Sequence, residues 1–507
     1  MKRNNLIQTT LLVCLAIALP ATLHAQFNYY TNNGGITIFY YSGPGGAVTI
    51  PDTIDGPPVT TIEGGAFWGT SLTSITIGQN LTYIGAKAFS GSSLAAITVD
   101  PLNNVFSSVD GVMFNKNATT LINYPEGRAG SYTIPGGVTT IGEAAFLRCA
   151  NLVNVAIPDS VTNIGAAAFS GCTGLTRITI PGSVMGIGEQ GFAGCANLSS
   201  ITIPDSVTYI GPQAFVNCSS LTGISVDVLN DTFSDVEGVL FNKNQTTLIQ
   251  CPGKKSGTYH VPTSVDYIQT RAFSGCAGLT NVTIPNSVTY LGDYAFGGCF
   301  GLANVSLGTN ISTLPGGAFS GCSNLSSVTI PNSVTYIRPW AFRDCTSLAS
   351  ITIPGRVTRM GGASAPNTIA GSFIGCTGLK RVYFEGQPPS IVYGDFTDHD
   401  EFTGCEQATV YYLPGTIGWG AFFGGRPTAL WLPTLQASQT SFGLPSHPFG
   451  FTISWARDKV VVIEAATDLS QPTWSPLSTN TFVGGSATFS DPQWTNYPMR
   501  VYRARTP

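Results

Sequence analysis

The chain has 507 residues, a formal net charge of −4, and only 10% Asp, Glu, Lys and Arg. An average domain carries about a quarter charged residues, so Gly, Thr, Ser and Asn must solvate this surface. No basic patch stands out, which removes the electrostatic case for nucleic acid as a partner.

Met1 to Ala25 reads as a secretory signal peptide. Lys2 and Arg3 form its basic start, Leu11 to Leu19 its apolar stretch, and Ala25 a small residue before the cut. The apolar stretch is short for a membrane span. No later segment is long and apolar enough, so no transmembrane segment is expected in the mature chain, which reads as secreted or held at the cell surface. Cys14 follows Val13, a poor match to a lipid-attachment signal. Residues 26–58, with the alternating run Ile36-Thr-Ile-Phe-Tyr-Tyr, are expected to form an N-terminal β cap, because an open solenoid end exposes core and strand edge.

From residue 59 to 431 the sequence repeats. Phe146, Phe169, Phe192 and Phe215 fall 23 residues apart, as do Phe273, Phe296, Phe319 and Phe342. Leu152, Leu175, Leu198 and Leu221 keep the same step, giving a consensus L-x-x-I-x-I-P-x-S-V-T-x-I-G-x-x-A-F-x-G-C. A fixed period of this length predicts a solenoid of stacked coils rather than one globular core. Ile178-Thr179-Ile180 alternates apolar and polar β-branched residues, which predicts a short strand. Pro181 ends it by removing a donor, Val184 to Ile187 gives a second extended run, and the Ala-Phe pair turns a ring into the core. Neighbouring coils should lie about 4.8 Å apart. Two matching insertions, near 100–133 and 227–260, carry Asp110-Gly111 and Glu237-Gly238 turns between apolar runs and predict added β-hairpins. Residues near 380–431 form irregular closing coils, with bulk from Trp419, Phe422, Phe423 and Trp431.

Residues 432–450 read as a linker. Beyond them, residues 451–507 lose the repeat and show strand patterns at Phe451-Thr-Ile-Ser-Trp, Lys459-Val-Val-Val-Ile-Glu-Ala, Ser486-Ala-Thr-Phe-Ser and Arg500-Val-Tyr-Arg-Ala. They predict a small C-terminal β-sandwich, near the lower size limit for independent stability, that docks on the solenoid. The fold class is therefore mainly β, a 23-residue-repeat solenoid of parallel strands followed by that sandwich.

Ten of the 12 cysteines occupy one repeat position, three after the Phe, from Cys149 to Cys405. Thr70 and Ser92 stand there in the first two copies, so the position does not demand a bridge, and a ladder of buried reduced thiols is the expectation. No paired Cys or Cys/His spacing supports a metal site. His260, His399 and His447 are isolated, and no nucleophile elbow, H-E-x-x-H or phosphate loop is present. The expectation is a non-enzymatic protein without a cofactor. Asp395, Asp398, Asp400 and Glu401 offer oxygen ligands that could hold Ca²⁺, although they lack the EF-hand glycine and final glutamate, and a solvated loop is the simpler reading. The x of V-T-x-I is tyrosine at Tyr83, Tyr209, Tyr267, Tyr290 and Tyr336, a row that could bind glycans or proteins or simply shield the sheet. Asn163, Gly186 and Thr313 interrupt it.

The motif I-P-x-S-V-T-x-I-G-x-x-A-F-x-G-C, over residues 59–410, closely resembles the BspA-like leucine-rich repeat of bacterial surface and secreted proteins. The insertion wording Asp110-Gly-Val-Met-Phe-Asn-Lys-Asn-Ala-Thr-Thr-Leu-Ile is similar too. The resemblance implies a curved leucine-rich-repeat solenoid and, from some members, adhesion to host or matrix proteins; it brings no catalytic residues. The C-terminal stretch resembles terminal β-domains of other exported bacterial repeat proteins. The expected function is an exported binding or adhesion protein that meets protein or glycan partners. The alternatives are a structural envelope component without a specific ligand and a carbohydrate-binding or enzymatic accessory in the C-terminal module.

Overall fold

The computed structural model describes residues 26–362, 371–391, 401–437, 449–456, 459–468, 473–482, 485–497 and 499–506. The chain divides into two compact units, up to Cys218 and from Ser219 onward. Among the described residues the fold is nearly all β, with one short 3-10 turn at Trp494–Asn496 and no α-helix. It is a parallel-strand solenoid of the expected period, followed by two small antiparallel sheets.

Within each unit, neighbouring coils are stitched together along three lines. The first is the Ile-x-Ile strand: Gly278–Thr283, Asn304–Ser306 and Ser327–Thr329 pair in parallel, with Val282, Val305 and Val328 in register. The second is the two-residue strand of V-T-x-I, as in Asn163–Ile164, Gly186–Ile187 and Tyr209–Ile210. The third runs through the Ala-Phe turn. There the Phe146 amide donates to the Ala168 carbonyl at 2.7 Å, and Phe296 repeats this to Ala318 at 2.9 Å. Two left-handed residues flank each ring. Ala144, Ala167 and Gln190 take φ of 54°, 52° and 54° two positions before it, and Gly171 and Gly194 take 74° and 70° two positions after. The second of these is the glycine of F-x-G-C, placed where a side chain would be strained.

The turn lays the rings in a column. Phe146, Phe169 and Phe192 stack at 4.8 and 5.2 Å with interplanar angles of 10° and 2°. Phe273, Phe296, Phe319, Phe342, Phe373 and Phe402 continue the pattern in the second unit, and all are buried. These centroid distances match the spacing of parallel strands, so the ring stack and the backbone ladder share one repeat. Two tyrosines extend the columns without following the sequence period. Tyr41 stacks on Phe67 at 5.1 Å, and Tyr124, fully buried, stacks on Phe146 at 5.0 Å.

The eleven described cysteines are free and buried. The ten thiols at the repeat position turn toward a carbonyl one coil back, as Cys172 donates to Phe146 at 2.9 Å, Cys195 to Phe169 at 3.1 Å and Cys299 to Phe273 at 3.0 Å, whereas Cys251 points to the adjacent Pro252 carbonyl. Thr70 and Ser92 instead donate to the carbonyl of the Phe in their own coil, at 2.8 and 2.7 Å. Both arrangements satisfy a donor in a dry place. Burial pushes the Cys218 thiol up to about 12 and raises Cys195, Cys299 and Cys322 well above the ordinary thiol value.

At the N-terminus, Phe27–Asn32 and Gly35–Tyr41 form an antiparallel hairpin through Asn33-Gly34, both at positive φ, and the second strand pairs in parallel with Val59–Ile62. Both insertions are hairpins, Phe106–Val109 with Val112–Asn115 and Phe233–Val236 with Val239–Asn242, turning at Asp110-Gly111 and Glu237-Gly238. Asn103, fully buried, pins the first. Its amide donates to the Gly78 and Leu81 carbonyls at 2.8 and 2.9 Å, and its oxygen accepts from Val105 and Phe106.

The C-terminal module consists of two three-stranded antiparallel sheets. Thr434–Ala437, inside the stretch read as a linker, pairs with Phe449–Ser454, which pairs in turn with Ser486–Asp491. The module thus reaches back to Thr434. Its first strand, Thr-Leu-Gln-Ala, alternates polar and apolar residues but is only four residues long, too short to stand out from a linker in the sequence. Val460–Ala466 lies between Ser475–Thr481 and Val501–Arg505. Leu413 of the solenoid end joins the module's core beside Phe451, Ile453 and Phe482, with Trp431 packed against it. This small core therefore leans on the coil before it.

Candidate functional site

The tyrosines of V-T-x-I stand on short strands whose next residue, an Ile or Leu, points inward, so the alternation of the strand turns each phenol outward. Tyr83 pairs with Thr61. Tyr209 pairs with Gly186, below which Asn163 and Thr140 continue the row. Tyr83 and Tyr209 are thus single exposed rings, 59% and 56% accessible. In the second unit Tyr267 and Tyr290 are brought together as in-register neighbours, their rings 4.4 Å apart and 6° from parallel. Partial burial raises the Tyr267 phenol above its ordinary value, so it stays a neutral hydroxyl. Tyr336 pairs with Arg359, whose guanidinium lies 4.4 Å from its ring centroid, and the Tyr336 hydroxyl donates to the Gly361 carbonyl at 2.9 Å. Arg359 is not a tyrosine but occupies the same repeat position, in Val357-Thr-Arg-Met. The row is therefore two stacked pairs and two isolated rings, not one continuous column.

Of the oxygen-ligand cluster, Asp395, Asp398 and Asp400 lie outside the described residues. Glu401 is buried, and its Oε1 accepts the Ser372 amide at 2.7 Å. Among the described residues no group of three His, Cys, Asp or Glu side chains is placed to hold a metal ion. No helix of the described residues is long and apolar enough to cross a membrane.

The second unit also holds a groove that the repeat pattern alone does not reveal. Its floor is the outward face of the Ile-x-Ile strands: Ser327, Thr329, Ser350 and Thr352. Ser327 belongs to a side-chain ladder in which its hydroxyl donates to Asn304 Oδ1 at 2.7 Å and the Asn304 amide donates to Asn281 Oδ1 at 3.1 Å. Trp431 and Trp455 form the wall, enclosing about 570 Å³. A second hollow of about 490 Å³ shares Thr352, Trp431 and Trp455 with the first and runs on past Arg381, Tyr383 and Tyr411. Thr352, Tyr383 and Tyr411 are in register on three consecutive strands. Tyr383 lies 5.2 Å from Tyr411 and 4.6 Å from Trp431, ring centre to ring centre. The Trp455 indole N–H is spent on the Trp431 carbonyl at 2.9 Å, which fixes the two walls to each other. Burial raises the Tyr383 phenol, again a neutral donor. The signal available in sequence was the pair Arg381-Val-Tyr-Phe and Thr409-Val-Tyr-Tyr, where tyrosine replaces the outward threonine of the repeat.

The stacked coils, the leucines and the inward phenylalanines define a leucine-rich-repeat solenoid. The family model for the BspA type leucine rich repeat region, six copies, matches residues 35–129, 126–249 and 251–368. These spans cover more than half of the chain, and the protein belongs to that family. Among solved structures it is similar to a leucine rich cell surface protein from Faecalibacterium prausnitzii A2-165, 28% identical, TM-score 0.48, over 71% of this chain and 93% of that one. It is also similar to a leucine-rich repeat protein from Eubacterium ventriosum, 21% identical, TM-score 0.45, over 80% and 98% of the two chains. The pneumococcal vaccine antigen PcpA is 20% identical, TM-score 0.44, over 77% of this chain and 92% of that one. No curated protein sequence matches the chain.

Proposed function

We propose that the protein is an exported, non-enzymatic binding or adhesion protein that presents its solenoid surface to protein or glycan partners at a bacterial surface. The observation that carries this reading is the pre-ordered outer row of the second unit, in which Tyr267 stacks on Tyr290 and Arg359 covers Tyr336. Aromatic and guanidinium groups held by neighbours lose little side-chain entropy when a partner arrives, and that is the main cost of contact by long or mobile residues. Membership of the BspA-type family and the basic-apolar start of the chain, Lys2 to Ala25, support export. In this reading Tyr83 and Tyr209 are secondary contact points.

The test is capture by the immobilised mature chain from panels of extracellular-matrix proteins and surface glycans. The expected result is selective, saturable retention of at least one partner, weakened by Tyr290→Ala. Retention of none, or equal retention of everything, contradicts the reading.

A further inference from the structure

We infer that the groove bounded by Trp431, Tyr383 and the strand face at Thr352 is a subsite for a neutral polysaccharide chain. The inference rests on the binding role proposed above and names a ligand class and a place for it.

The chemistry of the lining selects the ligand. A pyranose ring is amphipathic, with a C–H face that packs on aromatic rings and an edge of hydroxyls that both donate and accept. The groove is built in the same two parts. Trp431, Tyr383 and Tyr411 supply ring surface, with Tyr383 in the middle, 4.6 Å from Trp431 and 5.2 Å from Tyr411. Thr329, Ser350 and Thr352 supply exposed hydroxyls along the floor that can donate or accept as a bound sugar requires, and Ser327, whose hydrogen goes to Asn304, can still accept. Charge argues the same way. Arg381 and Glu385 are the charged side chains among the described lining residues, one of each sign, so the site favours neither a polyanion nor a polycation. The two hollows join at Thr352 and open along the strand-stacking direction, where coils repeat. A ligand with a repeat of its own can use successive coils of such a surface, whereas a compact small molecule would fill only one. The walls belong to different modules, Trp431 to the solenoid end and Trp455 to the sandwich. The hydrogen bond between them fixes the two parts of the wall to each other before any ligand binds.

Affinity electrophoresis of the full chain through gels containing soluble mannan, xylan or mixed-linkage β-glucan tests this, with tryptophan fluorescence as a second readout. Retardation by at least one of the three is expected. Tyr383→Ala and Thr352→Lys should each weaken it about tenfold, the loss of one well-packed contact. Thr352→Lys alters an exposed floor position and leaves the core untouched, so it reports on the groove even if Tyr383→Ala disturbs the last coils. Val228→Lys adds the same charge at an 86% exposed position outside the groove and should leave retardation unchanged. Full affinity in both groove variants overturns the inference. So does the absence of retardation by all three polysaccharides, and if selective capture of a protein partner persists in that case, the wider binding role stands without this subsite.

Discussion

The coils of the solenoid and the C-terminal module solve the same problem, burial with few charges, in opposite ways. A coil buries Phe296 between Phe273 and Phe319, like against like, at 4.7 and 5.5 Å. The module has no repeat to draw on. Phe482 meets Trp455 edge-on at 6.5 Å, and the second sheet is tied by ions: the Glu464 carboxylate receives Arg505 and Arg503, each within 2.8 Å. A stacked coil thus takes its stability from its neighbours, one interface at a time, while the module depends on a few specific side chains and on Leu413 of the coil beside it.

The largest expected effect breaks the stack. Phe296→Ala should cost about 3–5 kcal/mol, the usual loss for a buried ring, and should open the coils around it without unfolding the module. Phe482→Ala should do the reverse. Segment-resolved hydrogen exchange in increasing denaturant separates the two.

Acid should divide the regions by sign. Hydrogen bonds from Arg505 and Arg503 hold the Glu464 pKa below the ordinary carboxylate value. Its contribution is therefore present above that ordinary value and lost as pH falls through the lowered one. Glu126, in the coils, is half-buried beside the Gly91 amide, and desolvation raises its pKa. The folded state then holds that proton more tightly than the unfolded one, so its contribution weakens as pH rises from the ordinary value through the raised one. Acidification should consequently loosen the module before the coil around Glu126, read as separate transitions in exchange or limited proteolysis. Glu464→Gln should remove the module's acid sensitivity.

Much of this architecture was legible because it repeats. The phenylalanine step, the Ile-x-Ile strand and the left-handed glycine of F-x-G-C are each dictated by local chemistry, and recurrence makes them visible. What escaped was either not periodic or held together by distant residues. Tyr124 takes the place of a ring in the column, but its own coil carries an insertion that hides the register. Thr434–Ala437 is a strand only because Phe449–Ser454 lies beside it. The tyrosine row was visible as a position, but its division into pairs depends on Gly186 and Asn163 giving Tyr209 no ring to stack on, and on Arg359 covering Tyr336. The groove needed three separate stretches, around 350, 383 and 431, to meet.

Smaller effects refine the comparison. Cys299→Val removes one of two donors to the Phe273 carbonyl, which keeps the Cys276 amide, so it should cost only about 0.5–1.5 kcal/mol. Cys299→Ser, which imitates Ser92, should cost less. Native thiols should resist alkylation until the coils open, since burial holds them protonated; mass spectrometry of the labelled protein reads both. Tyr290→Ala should cost only about 0.5–1.5 kcal/mol of stacking on Tyr267, while weakening capture of a partner by more than that loss of stability explains.

The central claim is that like residues of successive coils lie in register. Amide hydrogen exchange of the native chain at single-residue resolution tests it most directly. The account predicts slow amides recurring every 23 residues between Ile141 and Ile353 outside the insertion, at the inward strand positions and at the Phe amides themselves. Protection gathered into a few unrelated segments, with the Phe amides exchanging like free chain, would contradict it.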